Sequence, residues 1–217
     1  MRILLIPFLF ILIGGAVVFF VGPALQFPES ISEFQVWLKG FDEWAWAAGS
    51  MMIIGDSLLP IPSDPTVFTL GLIYGGLIGG LVGGTAATIA ALIGYSITRS
   101  LGEEGATFLI GEKDLQRARG FYERWGFMTV ALGRAIGGPA EYLVVVAGLT
   151  AMPFRKVLLA IVTGAYPTAF CMSFLGAYSM AEPYIAVTLA VALVLSLIGG
   201  FHLFRRFSER GEQRDAN

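Results

Sequence analysis

The chain contains several uninterrupted apolar runs that are long enough to cross a lipid bilayer. Residues 3–22 form the first run, and runs at about 157–180 and 184–204 follow towards the carboxyl terminus. About 20 apolar residues suffice to span the ~30 Å hydrocarbon layer of a membrane. Hydrophobic residues make up 56% of the 217 residues and charged residues 14%, against ~45–50% and ~25% in soluble domains. These values exclude a water-soluble globular enzyme and indicate a membrane protein.

The first apolar run, residues 3–22, is open to two interpretations. A cleaved signal peptide has an apolar core of only ~7–15 residues, followed by a cleavage site of small residues. This run is longer, and no such site follows it between Pro23 and Pro28. We therefore expect a retained transmembrane helix, followed by an acidic connector over residues 23–43 that includes a short helix on the bilayer surface.

Residues 44–98 are almost wholly apolar but cannot form one straight helix. Three prolines interrupt the stretch, at Pro60, Pro62 and Pro65. Each proline removes a backbone donor and clashes with the preceding helical turn. The arm before the prolines has about 16 residues, which is short for a membrane span. The pattern predicts a re-entrant hairpin that enters along 44–58, turns at 59–65 and leaves along 66–76, with its break covered by protein or by a wet cavity.

A second broken segment, residues 127–148, has the same outline of apolar arm, break and apolar arm. Its break contains Gly137, Gly138 and Pro139. Asp64 and Glu141 correspond in the two segments, because each stands two residues after a proline and seven residues before a glycine. Opposed broken segments in two halves are typical of inverted-repeat transporters, whose binding site lies where the breaks meet.

The region between the two broken segments begins with paired glycines and ends with charge. The glycines of residues 75–84 recur every four residues, which predicts a groove on one face of a crossing helix, at about 78–98, where another helix approaches closely. Residues 99–126 form the longest hydrophilic segment, and we expect an amphipathic surface helix within it.

The distribution of Lys and Arg residues predicts the orientation of the chain in the membrane. With four crossings, two hairpins and a cytoplasmic amino terminus, 12 of the 14 Lys and Arg residues fall on the cytoplasmic side, the exceptions being Lys39 outside and Arg134 in a hairpin. This agrees with the positive-inside rule and places both termini in the cytoplasm. The sequence thus predicts an all-α membrane protein with about four full transmembrane helices and two opposed re-entrant helical hairpins in an inverted repeat. Its parts are an amino-terminal helix and connector (1–43), a core (44–182) and a carboxyl-terminal helix with a cytoplasmic tail (183–217).

The predicted hairpins contain four charged side chains, namely Asp56, Asp64, Arg134 and Glu141. An Asp or Arg at the centre of the bilayer costs at least ~2.5–3.5 kcal/mol, so such groups usually pair and line a cavity. One interpretation is an ion pair that only holds the hairpins together. We favour a substrate-binding site, because a buried pair adds little net stability. A carboxyl without a cation favours its protonated form, as proton coupling requires, and a guanidinium matches the geometry of phosphate.

Soluble-enzyme and cofactor chemistry has no support in the sequence. Cys171 is the single cysteine and His202 the single histidine, so a disulfide, a Cys-x-x-Cys motif and a metal site are not expected. The formal net charge of −2 offers no basic surface for nucleic acid. There is no phosphate-binding loop, Gly-x-Ser-x-Gly or His-Glu-x-x-His motif. We therefore expect neither an enzyme nor a cofactor.

Short motifs follow one another between residues 44 and 180. They are DSLLPIPSD from Asp56 to Asp64, a glycine-rich helix ending in Gly94-Tyr95, GRAI from Gly133, AGL from Ala147, MPFRK from Met152, and Gly164. As a set they resemble the DedA family of integral membrane proteins, which carries the VTT (SNARE-associated) domain. The resemblance implies two opposed re-entrant hairpins and the flipping or scrambling of phospholipids or undecaprenyl phosphate, for which proton coupling has been proposed.

The resemblance also assigns individual residues of this chain to charged positions of the family's hairpins. Asp56 and Asp64 match the two acidic positions of the family's first hairpin, and Arg134 matches the first arginine of the second. Many members have a second arginine six residues later, where this chain has Ala140 followed by Glu141. The loss of one cation makes a doubly anionic phosphate substrate less favourable and a zwitterionic lipid more favourable.

Three functions are consistent with these residues. The first is a lipid translocase of a bacterial inner membrane, whose partners are membrane lipids and, with coupling, protons. The second is a proton- or cation-coupled exporter of small solutes that uses the same acids. The third is a membrane organiser that transports nothing and offers the hairpins as a docking surface. The glycine groove is compatible with packing within one chain and with a homo-oligomer.

Overall fold

The computed structural model describes residues 30–56, 63–136 and 140–179, together with Tyr184 and Thr188. These residues form seven α-helices and no strand, in agreement with the predicted all-α class. In chain order the helices are α1 (Ile31–Lys39), α2 (Ala45–Gly55), α3 (Ser63–Ser100), α4 (Gly102–Ile110), α5 (Glu112–Ile136), α6 (Ala140–Leu149) and α7 (Phe154–Ser179).

Helix α1 is the short helix expected in the acidic connector. Ser30 caps it, because the Ser30 hydroxyl accepts a hydrogen bond from the Glu33 N–H at 3.2 Å. Phe34 and Leu38, four residues apart on one face, are buried in a cluster with side chains of α2 and α3. A single 3₁₀ turn (Asp42–Trp44) then leads into α2. The connector is therefore packed onto the first predicted hairpin.

Helix α3 contains two helical segments that fold back on one another. Gly75 has φ 81° and ψ 163°, a conformation that residues with a Cβ rarely adopt. It separates an arm, residues 63–74, from a long segment, residues 76–100. A Cβ added to Gly79 would lie 2.7 Å from the backbone nitrogen of Gly71, so the two segments are antiparallel and in close contact. The long segment corresponds to the crossing predicted at about 78–98.

The arm 63–74 begins earlier than the sequence suggested. Asp64 and Pro65 lie in its first turn, whereas the predicted turn of the hairpin extended to residue 65. A proline is tolerated in the first turn of a helix because the N–H that it lacks would have no intrahelical partner there.

The predicted glycine groove is confirmed, and helix α7 occupies it. A Cβ on Gly84 would contact the Tyr166 ring at 2.9 Å, and those on Gly76 and Gly80 would overlap the Phe174 and Phe170 rings. Three glycines four residues apart thus face three aromatic side chains four residues apart. The absence of Cβ atoms lets the rings lie directly against the α3 backbone.

The hydrophilic segment 99–126 is helical over most of its length. Helix α4 lies between two glycines of positive φ, Gly102 at 66° and Gly111 at 81°. Helix α5 then runs without interruption through residue 126 to Ile136. The second predicted hairpin therefore has no separate incoming arm that begins at residue 127, because that arm is the carboxyl-terminal part of an amphipathic helix.

The two halves share an order of elements: helix, break, short arm, turn and long helix. Gly71 of the first arm packs against Ser173 of α7, and Gly148 of the second arm (α6) packs against Thr98 of α3. Each short arm thus crosses the long helix of the other half.

Two described helices are long and apolar enough to cross a membrane, α3 with 38 residues and α7 with 26. At 1.5 Å per residue, the long segment of α3 and α7 extend over about 38 and 39 Å. The predicted crossings at 3–22 and 184–204 lie outside the described residues, apart from Tyr184 and Thr188. Five predicted break residues also lie outside them: Pro60, Pro62, Gly137, Gly138 and Pro139.

Candidate functional site

Arg134 lies between the two long helices at the middle of their lengths. Arg134 is 9% exposed, and its Nη2 donates a hydrogen bond to the carbonyl oxygen of Ala87 on α3 at 3.3 Å. Its own carbonyl oxygen accepts a bond from the Thr168 hydroxyl of α7 at 3.5 Å. Ala87 and Thr168 are each 11 or more residues from both ends of their helical segments. Arg134 is therefore far from either end of the two helices.

The close approach of α7 to Arg134 depends on Gly164. A Cβ at this position would overlap the Ala131 carbonyl and would lie 2.9 Å from Cβ of Arg134. Only a residue without a side chain lets α7 pass this close to α5. Gly164 thus lets the α7 backbone lie directly against the base of the Arg134 side chain.

Glu141 is the nearest anion to Arg134. Its Oε1 lies 3.5 Å from Nη1 of Arg134, an ion-pair distance at the outer limit of hydrogen bonding. Within the part of the chain that the structure describes, Nη1 and Nε of Arg134 are buried and have no hydrogen-bond partner. Buried donors are normally satisfied, so two donors of this guanidinium remain available to an anionic or carbonyl oxygen.

Asp56 and Asp64 complete the electrostatic environment of Arg134. Asp56 follows the last residue of α2 and is half-buried, and Asp64 is exposed in the first turn of α3. Both carboxylates act electrostatically on the guanidinium, after the stronger effect of Glu141. The four charged residues singled out from the sequence therefore share one electrostatic site, to which α2, α3, α5 and α6 contribute. Three carboxylates thus act on one cation.

The sequence did not single out two tyrosines, Tyr122 and Tyr95, whose hydroxyls bind backbone carbonyls of α6 and of the turn that follows it. The Tyr122 hydroxyl donates to the Leu143 carbonyl of α6 at 2.8 Å. The Tyr95 hydroxyl donates to the Met152 carbonyl, in the turn before α7, at 2.6 Å. Both contacts join residues far apart in sequence, so no local pattern announces them.

The residues that surround the guanidinium do not form a metal site. Among the described residues, no group of three or more His, Cys, Asp and Glu side chains could hold a metal ion. Asp56, Asp64 and Glu141 all interact electrostatically with one cation, the Arg134 guanidinium. The arrangement is suited to binding an oxygen anion or to exchanging a proton.

An apolar groove of about 310 Å³ lies elsewhere, between α2 and α3. Its walls include Trp46, Ser50 and Ile54 of α2 and Thr85 and Ile89 of α3. At 100° per residue, Thr85 and Ile89 face away from Ala87, which binds Arg134. The groove is therefore separate from the charged site.

Comparison with protein families gives one finding: the family model of the VTT domain matches residues 59–178. This range includes Asp64, Arg134 and Glu141 and begins after Asp56. Neither the comparison with curated proteins nor that with solved structures gives a match.

Proposed function

Because this chain belongs to the VTT-domain family, the DedA family, and is accordingly a membrane protein, we propose that it is a lipid translocase. In this proposal a polar head group enters the site around Arg134 while the acyl chains remain in the bilayer. The lipid is a phospholipid or undecaprenyl phosphate, the membrane is a bacterial inner membrane, and the protein is not an enzyme.

One observation carries the proposal: a buried guanidinium, whose Nε and Nη1 make no short hydrogen bond to the described residues, lies halfway along two helices that can span a membrane. A charge at such depth is costly and usually marks a substrate or ion pathway. A phosphate oxygen would satisfy the donors in the forked geometry that a guanidinium prefers. Because Ala140 stands where many family members have a second arginine, we expect a singly charged phosphodiester to bind better than a phosphate monoester.

The excess of carboxylates supports proton coupling. Glu141 and a phosphate oxygen would compete for the same guanidinium, since Glu141 lies 3.5 Å from Nη1. Protonation of Glu141 removes this competition and favours anion binding. The same excess of acids favours the second candidate, a proton- or cation-coupled exporter of small solutes, over an organiser that moves nothing.

A flip assay in proteoliposomes tests the proposal, with labelled undecaprenyl phosphate and labelled phosphatidylethanolamine as substrates. The wild-type chain should move at least one of them, with phosphatidylethanolamine favoured. Arg134→Ala should abolish the movement, whereas Arg117→Ala should retain it, because Arg117 is an exposed arginine on the same helix. Equal flipping by the two variants would refute a role for Arg134. Solute transport without lipid movement would favour the exporter.

The proposed topology has four crossings, two re-entrant hairpins and both termini in the cytoplasm. After replacement of Cys171, cysteines introduced at Lys39 and Glu182 should react with an impermeant thiol reagent added outside intact cells. Cysteines at Arg119 and Arg210 should not react. Labelling at Arg119 would place this part of α5 outside the cell and would overturn the proposed topology.

A further inference from the structure

Helix α6 carries Glu141 in its first turn and packs along its length: Tyr142 lies against the buried cluster, and Leu143 lies directly against Gly133 of α5. Val144 and Ala147 are buried in the cluster that joins α3, α5, α6 and α7. Gly148 lies against Thr98 and the Tyr95 carbonyl of α3. The helix has only 10 residues, so a small displacement of it would change the distance between Glu141 and Arg134.

Two buried phenols act on this short helix from different directions. Tyr122 of α5 is 5% exposed and binds the Leu143 carbonyl, two residues after Glu141. Tyr95 of α3 is 4% exposed and binds the Met152 carbonyl, three residues after the helix ends. One bond therefore fixes the end with Glu141, and the other fixes the turn that follows.

The turn after α6 needs such support. Ala151 has φ 61°, a left-handed conformation that is strained for a residue with a Cβ. Strained backbone persists only when its surroundings hold it in place. The Tyr95 bond to the neighbouring Met152 is one such contact, and the Ala151 N–H also binds the Gly148 carbonyl at 3.0 Å.

The corresponding turn in the first half is held by different contacts. There the turn residue is Gly75, for which a positive φ carries no Cβ penalty. The side chain that reaches it from the opposite long helix is Ser173, whose hydroxyl lies 3.5 Å from the Gly75 carbonyl. In the second half, two tyrosine hydroxyls thus bind carbonyls of the arm and of its turn. In the first half, the Ser173 hydroxyl binds the turn, and the hydroxyl of Tyr74, next to Gly75, accepts a hydrogen bond from the Trp46 N–H at 3.1 Å.

We propose that Tyr95 and Tyr122 are positioning residues, whose hydrogen bonds to the Met152 and Leu143 carbonyls hold α6 so that Glu141 stays beside Arg134. The consequence for transport rests on the proposed function. Burial raises the pKa of Tyr122, which lies in the hydrophilic part of α5, so this phenol remains a proton donor in its hydrogen bond. The positioning of α6 by Tyr95 and Tyr122 does not depend on what the protein transports.

Amide hydrogen exchange of the full-length protein in detergent tests the structural part. Tyr122→Phe and Tyr95→Phe each remove one hydroxyl and keep the ring. Loss of one such bond should accelerate exchange in peptides over residues 140–152 roughly fivefold. Tyr178→Phe is the control, since Tyr178 is 37% exposed near the far end of α7, and it should leave these peptides unchanged. Unchanged exchange in both test variants, or acceleration over the whole chain, would overturn the proposal.

Lipid titration in proteoliposomes then tests the consequence. A loosened Glu141 competes less with the head group for Arg134, so the KM for an anionic phospholipid should fall roughly fivefold. A purely structural defect would lower the amount of active protein, and hence the maximal rate, and would leave KM unchanged. Faster local exchange with an unchanged KM would overturn the link to Glu141. A wild-type protein that moves no lipid would refute the proposed function and would leave the exchange result as the test of positioning.

Discussion

Replacement of Gly71 by alanine tests the crossing of the first arm with α7. The Cβ of alanine would lie 2.7 Å from both Cα and the carbonyl carbon of Ser173 and would overlap its oxygen. Non-bonded carbons prefer about 3.5–4.0 Å, so the two backbones must separate by about 1 Å. Neither backbone can rotate away as a side chain could.

The energetic balance of Gly71→Ala has two opposing parts. Overpacking of a tight contact costs about 1–3 kcal/mol, and alanine gains up to about 1 kcal/mol over glycine in a helix. We expect a net loss of about 1–2 kcal/mol. Gly94 provides a matched control in the same helix, because nothing lies within 4 Å of a Cβ added there. Gly94→Ala should therefore raise stability by about 0.5–1 kcal/mol.

Thermal unfolding of the two purified variants in detergent, followed by size-exclusion chromatography after heating, measures the difference. A change of 1 kcal/mol shifts Tm by about 2–4 °C in a chain of this size, so Gly71→Ala should unfold roughly 4–10 °C below Gly94→Ala. If Gly71→Ala is as stable as Gly94→Ala, the first arm does not cross α7 at Ser173, and the exchange of arms between the halves is wrong.

Three further substitutions probe the turn and the site. Ala151→Gly should raise Tm, because it relieves about 1–2 kcal/mol of left-handed backbone strain and costs about 0.5–1 kcal/mol through the greater flexibility of glycine in the unfolded chain. A lower Tm would show that Ala151 is not strained. Asp64→Asn with Glu141→Gln should fold but lose the pH dependence of transport in proteoliposomes, and an unchanged pH profile would exclude coupling through them. Gly164→Ala should lower Tm, as Gly71→Ala does, and should also lower the flip rate per folded molecule, since its Cβ overlaps the Ala131 carbonyl and displaces α7 from Arg134. A wild-type flip rate per folded molecule would show that this contact is dispensable.

The sequence was sufficient for the parts of the fold that local spacing determines. Glycines four residues apart in residues 75–84 predicted a close helix contact without reference to any partner. The partner was not predictable in the same way, although Tyr166, Phe170 and Phe174 share the same spacing, because nothing local links two segments some 80 residues apart. The sequence predicted one amphipathic helix in residues 99–126, and the structure has two there, α4 and the first part of α5. Helix α4 was not recognised, since only a few buried side chains such as Ala106 and Ile110 hold it in place.

The residues of the charged site could also be predicted from the sequence, but their contacts could not. Scarcity of charge in the apolar segments singled out Asp56, Asp64, Arg134 and Glu141, and the structure brings all four within electrostatic reach. The burial of Arg134 against Ala87 could not be predicted, because it depends on how α5 enters between α3 and α7. Their role in transport stays a prediction.

The glycine faces of α3 have a consequence for the synthesis of the protein. On α3, Gly76, Gly80 and Gly84 face α7, whose first residue follows the end of α3 by roughly 50 residues. At about 5–20 residues per second, the ribosome needs about 3–10 seconds to supply that partner. During this interval α3 has already entered the insertion machinery with its backbone uncovered on one side. A delay before α7, or a truncation within it, would leave that surface open to other helices, and such chains should be substrates for membrane quality control.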